Sequence, residues 1–475
     1  MLAPVNRIPP EVLTLIPDSW DKVSRGKDLI ALTHVCRAWR EMFISRSSLW
    51  TDFHCVDADK TRVYLERSKS SLITLLLDRD EYQPPYGPCL QIISRDIGRL
   101  KSLVIQGTQE NLQDIATYLS HPTPLLEDVE INGHSQDYPT LTTAFFDGDL
   151  SFLRKLSLRR VHTQLPWRNM ANLTSFTLSY PEECEVSIGQ LLDFLESAPS
   201  LLEVRLYRAT PTSSAQNGRV VSLSCLKKIV IKGDEPFSLF LDHLLIPVGT
   251  KMSLEFGFGA LEVRIEDYLP RSLDNLKNLS GFTGITLYFS SCMTRLQFTG
   301  PNGRVSMLPV WEHKDRPFGA THRVFQSLAL FNTSMARQLE IEGGRLPPGS
   351  PLPHQVLTST KNIQTLKLVQ CQGLLSFIRA LDPNLNQSNP LACPRLEELV
   401  LYLGVVEPHV MESIADMAAA RALEGAGLKS IHLVCPVSLS PLPSGIAEHV
   451  CHVKTCSMLD AVKDDSEDSS DDYDW

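Results

Sequence analysis

Apolar residues along this chain follow three patterns. Near the N-terminus, from Asp28 onward, Leu29, Leu32, Cys36, Trp39 and Phe43 recur at steps of three, four, three and four. A helix lines such residues up on one face, with Asp28 as the expected N-cap. From Leu100 a second pattern begins, of the form apolar-x-x-apolar-x-apolar. Its copies are Leu100/Leu103/Ile105, Leu126/Val129/Ile131, Leu153/Leu156/Leu158, Leu173/Phe176/Leu178, Leu201/Val204/Leu206 and Leu226/Ile229/Ile231, spaced by 20 to 28 residues. The form returns at Phe325/Leu328/Leu330, Ile363/Leu366/Leu368, Leu396/Leu399/Leu401 and Leu428/Ile431/Leu433. Between these two series lies the third pattern, strict alternation. Met252, Leu254, Phe256 and Phe258 alternate as a strand does, and the runs 285–289, 293–298 and 304–308 are too close together to hold helices between them. Pro301-Asn302-Gly303 supplies turn chemistry there, so hairpins are expected.

The second pattern has a leucine-rich-repeat spacing. Amphipathic helices are expected between copies, over 111–119, 188–197, 236–246, 373–381 and 408–423, and prolines such as Pro124 and Pro199 stop the chain just before the next strand. Helix, stop, strand is the unit of an α/β solenoid, in which each strand needs its neighbours to complete a core. A short helix over 61–68 and a buried strand over 71–77 precede the array, and the stretch 345–353, rich in proline and glycine, is expected to be an exposed excursion.

The N-terminal segment is too short to bury its stripe alone, so the stripe packs either on the rest of this chain or on a partner. Its residues point to a partner. Ile8-Pro9-Pro10-Glu11-Val12-Leu13, then Leu29, Leu32 and Val35-Cys36-Arg37 with Trp39, then Leu49-Trp50 resemble the F-box, the short helical module that docks on the Skp adaptor of cullin-RING ubiquitin ligases. Pro17 disfavours helix at Ile16 and a long polar gap follows, an arrangement similar to that of a group of fungal F-box proteins. The resemblance implies adaptor contacts by Ile8, Pro9, Val12, Leu13, Ile16, Leu29, Leu32, Val35, Cys36 and Trp39. An F-box followed by divergent leucine-rich repeats is itself a family pattern.

The expected organisation is an F-box over 4–52, a transition with a first strand over 53–99, a leucine-rich-repeat-like array over 100–460 and an acidic disordered tail over 461–475. The fold class is α/β: a short helical module followed by an irregular solenoid with a hairpin-rich middle. The implied function is that of a substrate-recognition subunit of an SCF-type ligase, with the Skp-type adaptor, the cullin complex and an unknown target protein as partners. The alternative is a repeat scaffold whose F-box-like segment caps the array or docks elsewhere.

Composition narrows this further. Net charge is −10, but seven acids and no bases fall within 464–474, which leaves −3 for the body and no bulk attraction to nucleic acid. The first residues lack the charged and apolar regions of a secretory signal, and no run is long enough for a membrane span. Eleven cysteines without a CxxC pair suit a reducing compartment, so the expected location is cytoplasmic, nuclear or both. No phosphate loop, HExxH or GxSxG motif appears, and neither catalysis nor a cofactor is expected. His449, Cys451, His452 and Cys456 are the one metal-like group, and they fit a final strand equally well, so no metal is expected. On the strand face, Lys101, Lys155, Lys228 and Lys367 occupy outward x positions and are the candidate target contacts. They suit an acidic or phosphorylated segment, or serve only solubility, since Glu127, Glu130, Glu203, Glu397 and Glu398 hold comparable positions.

Overall fold

A strand with alternate apolar residues buries one face, and in a parallel ladder its edges are satisfied only by the strands on either side. The computed structural model shows how the chain meets this demand. It describes residues 10–13, 29–54, 57–78, 86–108, 112, 115, 123–133, 140–141, 150–163, 170–179, 187–208, 218–257, 265–290, 293–301, 303–310, 323–344, 350–386, 390–404, 407–435 and 444–457. The architecture is mixed α/β and divides into two compact units, residues 1–228 and 229–475. Strands of three residues or more are numbered below.

The first unit opens with α1 (Pro10–Leu13), α2 (residues 29–32), α3 (Arg37–Ser45) and a 3-10 turn (Ser47–Trp50). There follow β1 (Asp52–His54), α4 (Ala58–Ser68), β2 (Ile73–Asp78), α5 (Gly87–Ile93), β3 (Leu100–Gly107), β4 (Asp128–Gly133), β5 (Lys155–Arg159), β6 (Ser175–Ser179), α6 (Ile188–Ser197) and β7 (Glu203–Tyr207). Strands β1 to β7 pair in parallel, each with the next in the chain. The segment 53–99 therefore adds two strands to the same ladder. Of the helix expected over 111–119, only residues 112 and 115 are described, and both are buried.

Each copy of the motif is built alike. Its first apolar residue closes a tight turn, with the N–H donating to the carbonyl three residues back: Leu126 to Thr123 at 3.1 Å, Leu153 to Leu150 at 2.9 Å, Leu173 to Met170 at 3.0 Å and Leu201 to Ala198 at 3.3 Å. The carbonyls of Glu127, Arg154, Thr174 and Leu202 then each accept two N–H groups from the next copy, at 2.8 to 3.0 Å. All three apolar positions of these copies are almost wholly buried, each contributing about 1.5–3 kcal/mol on the usual scale for a Leu, Ile, Val or Phe side chain. Arg160 (φ 53°) and Arg208 (φ 51°) end β5 and β7 in the left-handed region.

The second unit contains all but the first residue of β8 (Lys228–Gly233), then α7 (Ser238–Leu241), β9 (Lys251–Gly257), β10 (Gly284–Phe289), β11 (Thr294–Gly300), β12 (Gly303–Val310), α8 (residues 323–327), β13 (Gln338–Gly343), α9 (Leu352–Ser359), β14 (Thr365–Val369), α10 (Leu374–Leu381), β15 (Glu398–Tyr402), α11 (Pro408–Leu423), β16 (Ser430–Cys435), α12 (Ser444–His449) and β17 (His452–Ser457). The three closely spaced runs form an antiparallel meander, β10 to β12. β12 also pairs in parallel with β9, and β10 with β13. From β13 to β17 the strands are again parallel in chain order.

Two expectations are corrected here. Phe325/Leu328/Leu330 is not a strand: residues 323–327 are helical and Leu328–Leu330 forms a 3-10 turn. Val324, Phe325 and Leu328 share one buried face at helical spacing, which the same apolar pattern permits. The strand lies instead at β13, where Ala336, Leu339 and Ile341 fill the three buried positions and Ala336 closes the turn onto Thr333 at 3.1 Å. The helix expected over 236–246 shrinks to α7, because the chain tightens at His243 and Pro247 disfavours helix at Ile246. Gly343 (φ 72°) ends β13, and a Cβ there would collide with the Phe289 carbonyl oxygen. Phe258, Asn302 and the acidic tail lie outside the described residues.

Arg421 on α11 is wholly buried and faces carbonyls rather than a carboxylate. Its guanidinium donates to Leu381 O (3.4 Å), Ala392 O (3.0 Å) and Cys393 O (2.9 Å). This ties the helix to the turn that launches β15, where Cys393 adopts φ 44°. The Cys393 thiol donates to Leu357 O at 3.2 Å, and burial pushes its pKa up to about 12. Burial does the same to Cys371, to about 12. Replacing Arg421 by alanine strands three carbonyls and opens a cavity, so denaturant unfolding should show a loss of about 3 kcal/mol. A loss below about 1 kcal/mol would mean that the carbonyl cluster is held by other contacts. Because the folded thiols keep their protons where unfolded thiols lose them, stability is intact below the ordinary thiol pKa and falls as pH rises toward about 12. Denaturation midpoints across that range should decline less steeply for Cys393→Ala than for the parent.

Candidate functional site

The candidate contact residues fall on two kinds of surface, the N-terminal helical segment of the first unit and the outward face of the strands. The stripe of the helical segment does not run along one helix. The turn at Thr33 to Val35 separates α2 from α3, with Thr33 N donating to Ile30 O (3.0 Å) and Val35 N to Leu32 O (3.3 Å). Two causes are visible. The Thr33 hydroxyl bonds back to Ile30 O at 2.7 Å, a side-chain contact that competes with helix continuation. Cys36 is extended (φ −158°), and its sulfur accepts from Trp39 N at 3.5 Å, capping α3. Arg40 Nε then donates across the break to Thr33 O at 2.9 Å.

The break sorts the stripe. Leu29 and Phe43 are wholly buried, Leu13 is 4% exposed, and Leu49 and Trp50 are buried with them. Trp50 is the anchor: its indole N–H donates to Phe43 O at 2.9 Å, its ring meets Tyr64 edge-on at 5.0 Å, and the Arg67 guanidinium lies 4.2 Å over it. Burial pushes the Tyr64 phenol up to about 12, with the nearby Arg67 pulling the other way. Val12 is 49% and Val35 56% exposed, Cys36 is exposed, and Leu32 and Trp39 are half-buried, with Trp39 edge-on to Phe43 at 5.8 Å. Ile8, Pro9, Ile16 and the expected cap Asp28 lie outside the described residues. The roles of Tyr64 and Arg67 do not follow from the motif residues. The signal existed, since Thr61, Tyr64, Leu65 and Ser68 follow one helical face of α4 and are all buried.

The second surface is the outward face of the strands. Three of the four candidate lysines are engaged by glutamates: Lys101 with Glu127 (3.7 Å), Lys228 with Glu203 (3.9 Å), and Lys367, in the second unit, with Glu340 (3.0 Å). Lys367 also lies 5.3 Å over the Tyr402 ring. Lys155 is exposed and has no ion pair among the described residues. The four are not brought together: within the first unit β4 separates Lys101 from Lys155, and β6 and β7 separate Lys155 from Lys228.

Among the described residues no group of three or more His, Cys, Asp or Glu side chains is placed to hold a metal. His449 ends α12, Cys451 and His452 are exposed, and the side chain of Cys456 is not described. No described helix is long and apolar enough to cross a membrane. Compared with family models and with curated proteins, the chain matches none.

The sorting of the stripe can be read out by stability. Trp50→Ala removes a buried ring and an indole hydrogen bond and should lower stability by about 3 kcal/mol or more. Val35→Ser, at an exposed position, should stay within about 0.5 kcal/mol. Equal losses in thermal unfolding would place Val35 in the core.

Proposed function

We propose that the chain is the substrate-recognition subunit of an SCF-type ubiquitin ligase, docking a Skp-type adaptor with its N-terminal helices and holding a target protein on its strand face. The observation that supports it most is the division of the stripe. One set of apolar side chains, Leu29, Phe43 and Trp50, is buried and through Trp50 against Tyr64 holds the segment to α4, while Val12, Val35, Leu32 and Trp39 keep apolar area facing solvent. Apolar side chains left at the surface of such a segment are the kind of anchor that a partner interface buries. In this role the chain forms no bond to ubiquitin; it raises the effective concentration of target and conjugating enzyme in one complex. The parallel α/β ladder is read as a divergent leucine-rich-repeat solenoid, whose strand face is an extended surface suited to a protein target.

A second reading is favoured by Trp50. Its burial against Tyr64 and beneath Arg67 also suits a helical cap on the first strand, with no ligase involved. Co-expression with a Skp adaptor separates the two. The adaptor should co-elute with the chain on size-exclusion chromatography at micromolar concentration, and Trp39→Ala should weaken the complex by about 2 kcal/mol while leaving the circular-dichroism spectrum intact. Separate elution of the parent chain would support the cap.

A further inference from the structure

Charge on the strand face of the first unit is not evenly compensated. Where Lys101, Arg205 and Lys228 occur, a glutamate one strand or two residues away takes the charge: Glu127 for Lys101, and Glu203 for both Arg205 (2.8 Å) and Lys228. β5 differs. Arg154, Lys155, Arg159 and Arg160 are all exposed, and among the described residues none of them has an ion pair. On one side its register partners on β6 are hydroxyls, with Lys155 opposite Ser175, Ser157 opposite Thr177 and Arg159 opposite Ser179. On the other side Asp128 of β4 stands opposite Lys155 in register without forming an ion pair among the described residues, and Glu130 accepts from Asn132 Nδ2 at 3.1 Å instead of pairing with a cation. The result is two pairs of cations at the two ends of one strand, bordered on the β6 side by the hydroxyls of Ser175 and Ser179.

From this we infer that β5 and β6 form the target-contact strip of the chain and that its ligand is an extended acidic segment of a partner protein. The inference rests on the proposed receptor role and narrows the target class for it. Lys155 and Arg159 are four residues apart on an extended strand, hence about 13 Å. An extended peptide laid along β5 places side chains i and i+4 on one face at the same distance, so two acidic residues of the partner meet the two cation pairs together. Carboxylates and phosphates both bind guanidinium and ammonium groups through charge-assisted hydrogen bonds, and the half-buried Ser175 and Ser179 hydroxyls of β6 can donate to either. Lys101, Lys228 and Lys367 are thereby set aside as primary contacts, because an incoming acid would have to displace a glutamate already there. Phe152 supports the same site. It is 53% exposed and, with Arg154, Asn172, Thr174 and Ser200, lines a shallow groove of about 350 Å³ at the start of the strip, giving an apolar flank beside the guanidinium.

The test is fluorescence anisotropy of the full chain with three short labelled peptides: alternating glutamate and alanine, the same with phosphoserine for glutamate, and the same with lysine. The glutamate or phosphoserine peptide should bind, the lysine peptide should not, and added salt should weaken binding. Tighter binding of the phosphoserine peptide assigns the site to phosphate, and equal binding assigns it to carboxylate. Two double variants change the formal charge equally. Lys155→Gln with Arg159→Gln should lower affinity about tenfold, and Lys101→Gln with Lys228→Gln should change it by no more than about threefold. Circular dichroism of both variants should match the parent, as expected for exposed or half-exposed positions. Equal losses in the two variants, or no binding of either acidic peptide, would overturn the assignment. Adaptor co-elution measured on the same samples keeps the two readings apart: adaptor bound without peptide removes this inference alone, and peptide bound without adaptor removes the ligase role alone.

Discussion

The interaction on which the rest of the molecule depends is the paired acceptance of backbone N–H groups by one carbonyl per copy. Glu127, Arg154, Thr174 and Leu202 each hold the first two N–H groups of the following strand, and Arg337, Gln364 and Glu397 do the same in the second unit. That contact fixes the register, and register fixes which side chains point inward, since a slip of one residue would turn every leucine outward. It also fixes spacing across the outer face, where side chains of neighbouring strands stand side by side as ion pairs or as uncompensated rows. The strand motif is therefore both the core and the ruler for the surface.

The N-terminal helices depend on the same ladder from the other end. β1 starts two residues after Trp50 and pairs with β2, so the buried indole fixes the helical segment close to the first edge of the sheet. An anchor of this kind stiffens the segment, and in the proposed adaptor-docking role it would limit the entropy lost on binding through Val35 and Trp39.

Much of this was legible in the sequence because alternation and turn closure leave a strong residue pattern. Leu100, Leu126, Leu153, Leu173, Leu201 and Leu226 each mark a copy, and the close runs around Pro301 to Gly303 mark the meander. The misses have local causes. β13 carries Ala336 where most other copies carry leucine, so the sequence pattern points to Phe325 instead, where the same apolar steps serve a helix. The break after Leu32 depends on the Thr33 hydroxyl finding Ile30 O, a contact to which apolar periodicity is blind. The partners of Lys101 and Lys228 lie on neighbouring strands, 26 and 25 residues away in the chain, and no single strand reveals them. Arg421 was invisible because a lone arginine on a helix reads as solvent-facing, and only the turn at Cys393 together with the end of α10 gives it three carbonyls.

The central claim is that one set of N-terminal apolar residues holds the chain together and another is kept for an adaptor. Hydrogen exchange followed by mass spectrometry, on the full chain with and without a Skp adaptor, tests it most directly. Slower exchange over residues 31–42 on adding adaptor, with the amides of β3 to β7 unchanged, is the result this account predicts. Unchanged exchange over that segment, or protection confined to the strands, would contradict it.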